Sequence, residues 1–140
     1  MSDKTVRGAC YCGAVAYEAD LPSKFVCHCH CKNCQRAHGA GVVTWTGFKR
    51  PQFRLTSGET LRRHVTDTGA TRSFCGTCGT PLFYESPRWA EDIHIAVATL
   101  LDPIDAPPKA HVYADRSPAW CPINDDLPRY GGESGTEPLT

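Results

Sequence analysis

Cys29, Cys31 and Cys34 follow one another as C-x-C-x-x-C inside FVCHCHCKNCQRAHG, residues 25–39. The same fifteen positions also hold Cys27, His28, His30 and His38. Thiolates and imidazoles are the side chains that bind zinc, and four of them close a structural site. The C-x-C-x-x-C spacing suits a strand end that runs into the first turn of a helix, which would aim three sulfurs at one point. On an extended segment His28 and His30 face away from the cysteines, so they read as solvent-facing or supporting groups. Cys27 shares the cysteine alternation, and His38 lies one helical turn beyond Cys34. Either would serve as a fourth ligand, and Cys27 reads equally well as a buried strand cysteine. Three thiolates with an open fourth position are the ligand pattern of a catalytic zinc.

Two further cysteine pairs stand apart from this cluster. FCGTCGTPL places Cys75 and Cys78 as C-x-x-C with a glycine after each. A tight turn of that kind brings two sulfurs to one point and aims backbone N–H groups at them. GACYCGAV supplies Cys10 and Cys12, flanked by Gly8 and Gly13 where a bend can form. Joined, Cys10, Cys12, Cys75 and Cys78 make a closed site of four thiolates. A thioredoxin-like redox pair would need a helix after C-x-x-C; the continuation GTPLFYE reads as a strand. Cys121 stands alone.

These residues need elements to position them, and the pattern is mostly β. Strands are expected from residue 15, over 41–48, around a turn at Ser57 and Gly58, on both sides of GTCG, and in DIHIAVATL, where Ile93, Ile95 and Val97 alternate on one face. One helix is expected at KNCQRAH and a second at SPRWAED. Residues 101–108 read as a loop and 111–130 as an irregular proline-rich arm that packs Tyr113, Trp120, Leu127 and Tyr130 over the sheet. The aromatic residues read mainly as core, with Trp120 the candidate pocket wall. The division expected is one zinc-binding domain over 1–130 and a flexible tail over 131–140.

The whole chain narrows the function classes. It has 140 residues, 9 of them cysteine, with 15 basic and 15 acidic side chains. Such a neutral chain lacks the basic surface that nucleic acid or an anionic membrane would need. The longest apolar run, IHIAVATLL, is about half of the ~20 residues a membrane helix requires. MSDKTVRGAC has no apolar core of signal-peptide type. The chain therefore reads as soluble and cytoplasmic, where clustered cysteines bind metal more often than they pair.

GACYCGAVAYE, CHCKNCQRAHGA and FCGTCGTPLFY resemble, in order and spacing, the motifs of the glutathione-dependent formaldehyde-activating enzyme family, which includes centromere protein V. PAWCPINDDLPRY resembles its closing segment. The resemblance spans nearly the whole chain and implies a β-tent fold of stacked antiparallel sheets. It implies a structural zinc on Cys10, Cys12, Cys75 and Cys78, and a catalysis-linked zinc on Cys29, Cys31 and Cys34. Cys27 and Cys121 are additions to the seven-cysteine pattern. The implied reaction is that of a carbon–sulfur lyase resembling S-(hydroxymethyl)glutathione synthase, joining a glutathione-type thiol to formaldehyde or another small aldehyde. In that reading His30 or His38 would assist with protons, and Lys32 or Arg36 would meet a glutathione carboxylate. The alternatives are a zinc-stabilised binding module without chemistry and a thiol-redox or metal-handling protein.

Overall fold

Side-chain alternation sets the first strands. In β1 (Thr5–Ala9) Val6 and Gly8 are buried and Arg7 is exposed; in β2 (Ala16–Asp20) Tyr17 and Ala19 are buried. The computed structural model describes residues 4–139. The first three residues of the opening segment and Thr140, the end of the expected tail, lie outside the described residues. The protein is mainly β, and its chain gathers into two compact units. The first comprises the chain up to Lys24 together with Thr46–Ala106; the second comprises Phe25–Trp45 and the chain from Pro107 onward.

The first unit stacks two antiparallel sheets. One has the order β1-β2-β5, with β5 at Phe53–Ser57. The other runs β9-β8-β7-β6, built from β6 (Leu61–Val65), β7 (Thr71–Cys75), β8 (Pro81–Glu85) and β9 (Asp92–Ala96). Their inner faces meet through aromatic rings: Tyr17 and Phe53 each stand edge-on to Phe83 with centroids 5.1 Å apart. The Tyr17 hydroxyl lies 2.6 Å from that of Thr99, so the buried phenol has its partner.

Three expectations are revised here. The strands on either side of Ser57 and Gly58 exist, but they do not pair with each other: β5 pairs with β2 and β6 with β7. The linking residues explain this. The Gly76 N–H donates to the Thr60 carbonyl at 2.7 Å, and the Thr60 hydroxyl meets the Cys75 sulfur, which draws β6 onto β7. SPRWAED forms only a 3₁₀ turn at Pro87–Trp89, capped by Ser86. β9 is buried along its whole length instead of on one face, and Val97 leaves it for a 3₁₀ turn. The polar members of β9 are accommodated individually; the buried Asp92 carboxylate receives both hydrogen bonds of Lys24 Nζ, at 2.9 and 3.0 Å.

In the second unit β3 (Phe25–Cys29) leads through His30 and Cys31 into α1 (Lys32–His38), the helix expected at KNCQRAH. Cys31 caps α1 by accepting the Cys34 N–H, and Gly39 ends it in the left-handed conformation at φ 63°. β10 (His111–Val112) pairs with β3 in parallel, placing His111 opposite His28. β4 (Val43–Lys49) begins in this unit and ends in the first. Residues 131–139, expected to be a tail, turn back on Tyr130 in a short antiparallel hairpin of β11 (Tyr130–Gly131) and β12 (Glu137–Pro138). Tyr113, at φ 52°, packs its ring on Gly135, where a side chain would not fit.

Candidate metal centres

All nine cysteines are free thiols, and seven of them gather into two groups. The first is Cys10, Cys12, Cys75 and Cys78, whose sulfurs all lie within 4.8 Å of one another. Two turns assemble it. Cys10–Gly13 closes with the Gly13 N–H on the Cys10 carbonyl, and Cys75–Gly79 with the Gly79 N–H on the Cys75 carbonyl. Gly13 and Gly79 both sit at φ 83°, a conformation that side chains other than glycine rarely adopt. Cys10 Sγ is 3.7 Å from Cys12 Sγ, which is 3.8 Å from Cys75 Sγ. A disulfide would need about 2.05 Å. Tetrahedral zinc with Zn–S bonds of about 2.3 Å spaces its sulfurs about 3.8 Å apart. The group therefore fits a zinc ion in donor type, number and spacing.

Its surroundings favour thiolates. The Thr80 hydroxyl, 3.1 Å from Cys78 Sγ, leads the interactions that bring the Cys78 thiol down to about 5. The Thr60 hydroxyl, with the N–H groups of Cys78 and Thr77, lowers Cys75 to about 7. The Ala14 N–H lowers Cys12, but burial and the neighbouring sulfurs outweigh it and raise that thiol to about 11. The Val15 N–H donates to Cys10 Sγ at 3.2 Å.

The second group is Cys29, Cys31 and Cys34, again with all sulfurs within 4.8 Å of one another. Cys29 ends β3, Cys31 caps α1, and Cys34 sits on the buried side of its first turn. Cys29 Sγ lies 3.6 Å from Cys34 Sγ, a spacing that also suits zinc. Contact with Cys31, then Cys34, raises the Cys29 thiol well above its usual value. For Cys31 the Cys29 contact lowers, yet Cys34 and burial leave it raised. Three adjacent thiols cannot all ionise without a cation to balance them. Cys27 is outside the group, and burial pushes its thiol up to about 12. It is a partly buried residue of β3.

The histidines occupy places that the sequence left open. His30 is buried, 2% exposed, so it is not solvent-facing. Its Nε2 is 2.7 Å from Nδ1 of His111, whose Nε2 lies 2.9 and 3.1 Å from the two carboxylate oxygens of Asp125. Burial lowers the His30 pKa to about 4, and the hydrogen bond from His111 lowers that of Asp125. His28 stacks on His111 and meets the Thr44 hydroxyl at 2.8 Å. His38 stands edge-on to Trp45. Lys32 and Arg36 are exposed on α1. Trp120 is 73% exposed, and its neighbour Cys121 packs against Gly41. Sequence reading missed His111 and Asp125. The only sign of Asp125 was its place in INDDLPRY.

The sequence profile of the glutathione-dependent formaldehyde-activating enzyme family matches residues 5–116. A Halomonas elongata protein provisionally named as such an enzyme is 25% identical over 84% of this chain and 80% of its own. A Schizosaccharomyces pombe protein named as an uncharacterised lyase is 25% identical over 56% of each chain. A crystal structure of a Rhodobacter sphaeroides protein aligns with a TM-score of 0.60 at 28% identity, covering 71% of this chain and 91% of that one. With the family profile spanning most of the chain and every cysteine of both groups, the protein belongs to the glutathione-dependent formaldehyde-activating enzyme family.

Proposed function

We propose that the protein is a zinc-dependent carbon–sulfur lyase that joins a glutathione-type thiol to a small aldehyde such as formaldehyde, with Cys29, Cys31 and Cys34 as the catalytic centre. The observation that carries this reading is the three-sulfur group from which Cys27 is excluded. Three protein sulfurs leave a tetrahedral metal one position for substrate. The four-sulfur group of Cys10, Cys12, Cys75 and Cys78 would hold a second, structural zinc.

A zinc ion held by Cys29, Cys31 and Cys34 would supply a cationic centre that favours the thiolate form of a substrate thiol at neutral pH. The chain supplies the rest. α1 fixes Cys31 and Cys34 through the cap, and β3 fixes Cys29, so the three sulfurs are arranged before substrate arrives. In the reaction the thiol loses its proton, its sulfur bonds to the aldehyde carbon, and the carbonyl oxygen takes up a proton to become a hydroxyl. The reverse direction breaks the carbon–sulfur bond. Lys32 and Arg36 offer cationic ends to a substrate carboxylate from the exposed side of α1.

The test is to incubate zinc-loaded protein with glutathione and formaldehyde and follow S-hydroxymethylglutathione by NMR. Formation faster than the uncatalysed rate, lost in Cys31→Ser, is expected. A rate equal to background in the loaded wild type would leave the non-catalytic binding module as the better reading.

A further inference from the structure

Cys29 and Cys31 are two residues apart, and on a flat strand such positions have Cα atoms about 6.5 Å apart. Their sulfurs nevertheless lie within 4.8 Å of each other. The ladder of β3 ends at Cys29 and α1 starts at Lys32, so His30 and Cys31 alone link the two elements. His30 is held there at three points. Its N–H donates to the Val112 carbonyl at 3.1 Å. Its carbonyl accepts from Gln35 Nε2 at 2.7 Å. Its ring meets His111 at 2.7 Å. His111 is fixed in turn by the Asp125 carboxylate, by its N–H on the Pro128 carbonyl at 2.9 Å, and by stacking on His28 with centroids 5.0 Å apart.

The chain of hydrogen bonds has a direction. A carboxylate only accepts, so His111 carries its proton on Nε2. In the neutral His111 ring Nδ1 is then a lone pair, and His30 donates to it from Nε2. His30 Nδ1 is left without a proton, and it is buried without a partner. Flipping the ring to serve that atom would sacrifice the bond to His111. Asp125 is half exposed, with 46% of its side chain accessible, so a surface charge sets the orientation of a buried ring.

We infer that Asp125 and His111 are positioning residues for the three-cysteine centre: acting through His30, they hold the link between β3 and α1 that carries Cys29 and Cys31. This rests on the reading of that group as a metal centre, which the experiment tests separately. Partners one step removed from a metal ligand typically change affinity about 10–100-fold when lost, and Asp125 lies further out, so about tenfold is expected.

Two measurements on the zinc-loaded full chain test it. Long-range ¹H–¹⁵N spectra of the wild-type imidazoles should show His30 and His111 both protonated at Nε2; a proton on His30 Nδ1 would overturn the inference. Competition with a chromophoric chelator should show two zinc equivalents in the wild type. In Asp125→Ala one equivalent should weaken about tenfold while the other, on the four-cysteine group, holds and reports that the protein is folded. Asp125→Asn, which keeps a hydrogen-bonding group but no charge, should weaken it less and give mixed histidine tautomers. Unchanged affinity of both equivalents in Asp125→Ala and Asp125→Asn would refute the inference. A single equivalent in the wild type would refute the metal-centre reading instead, since the imidazole spectrum stands independently of metal count.

Discussion

The two cysteine groups use the same donor atom and differ in what surrounds it. Around Cys10, Cys12, Cys75 and Cys78, hydroxyls of Thr60 and Thr80 and the N–H groups of Val15 and Thr77 reach the sulfurs, and two of the thiols are lowered, Cys78 to about 5 and Cys75 to about 7. Cys12, whose sulfur contacts those of Cys10 and Cys75, is raised there, to about 11; at Cys29, Cys31 and Cys34 sulfur also lies against sulfur, and both Cys29 and Cys31 are raised. The first group is arranged to carry negative charge and to close around an ion. The second is arranged to need one, and its third sulfur completes no tetrahedron. On the function proposed above, stability belongs with the former and chemistry with the latter.

The largest effect should come from breaking the four-cysteine group. Binding of structural zinc contributes on the order of 10–16 kcal/mol to small zinc domains. Cys75→Ser should therefore lose one zinc and cooperative unfolding with it, which calorimetry and metal analysis would reveal. A variant that still melts cooperatively near the wild-type temperature would remove the structural role. Cys31→Ser should act differently: turnover falls to background and one zinc is lost, while the melting transition remains and the second zinc stays bound. If Cys31→Ser unfolds the protein as Cys75→Ser does, the division of labour is wrong.

Acid should separate the groups by their thiol pKa values. Protons displace a metal sooner from thiols that bind protons more tightly. Cys29 and Cys31 are raised, whereas in the four-cysteine group Cys75 and Cys78 are lowered to about 7 and about 5 and offset the rise of Cys12 to about 11. As pH falls, zinc should leave the three-cysteine group first, and the four-cysteine group should release its ion at lower pH. Stepwise release followed with a zinc dye would establish this order; simultaneous release or the opposite order would contradict it. The smallest effect should follow Cys27→Ser. That partly buried residue lies outside both groups, so metal content should be unchanged, turnover should stay within about twofold, and stability should fall by about 1 kcal/mol, the central cost of a point substitution.

The cysteine motifs were legible because their spacing is local: each turn is written in a few consecutive residues, with Gly13 and Gly79 at two of them, and two pairs of two ligands then call for each other across 63 residues. α1 was legible for the same reason, since its cap and its terminating Gly39 lie within the motif. What escaped depends on partners far apart in the chain. His30 and His111 are 81 residues apart, and nothing near either announces the other. The pairing of β5 with β2 and of β6 with β7 follows from Thr60 being captured at the Cys75 turn, a contact that no alternation pattern encodes. The burial of β9 on both faces was hidden by Asp92 and His94, polar residues that suggest an exposed face. Asp92 is buried because Lys24 meets it.

The central claim is that one centre is closed by four sulfurs and the other stops at three. X-ray absorption at the zinc edge, on wild type and on Cys31→Ser, measures this directly. The account predicts two zinc ions per wild-type chain sharing seven sulfurs, with one nitrogen or oxygen ligand that disappears in the variant to leave a single four-sulfur site. Four sulfurs around every zinc in the wild type would mean that both sites are closed, and would contradict it.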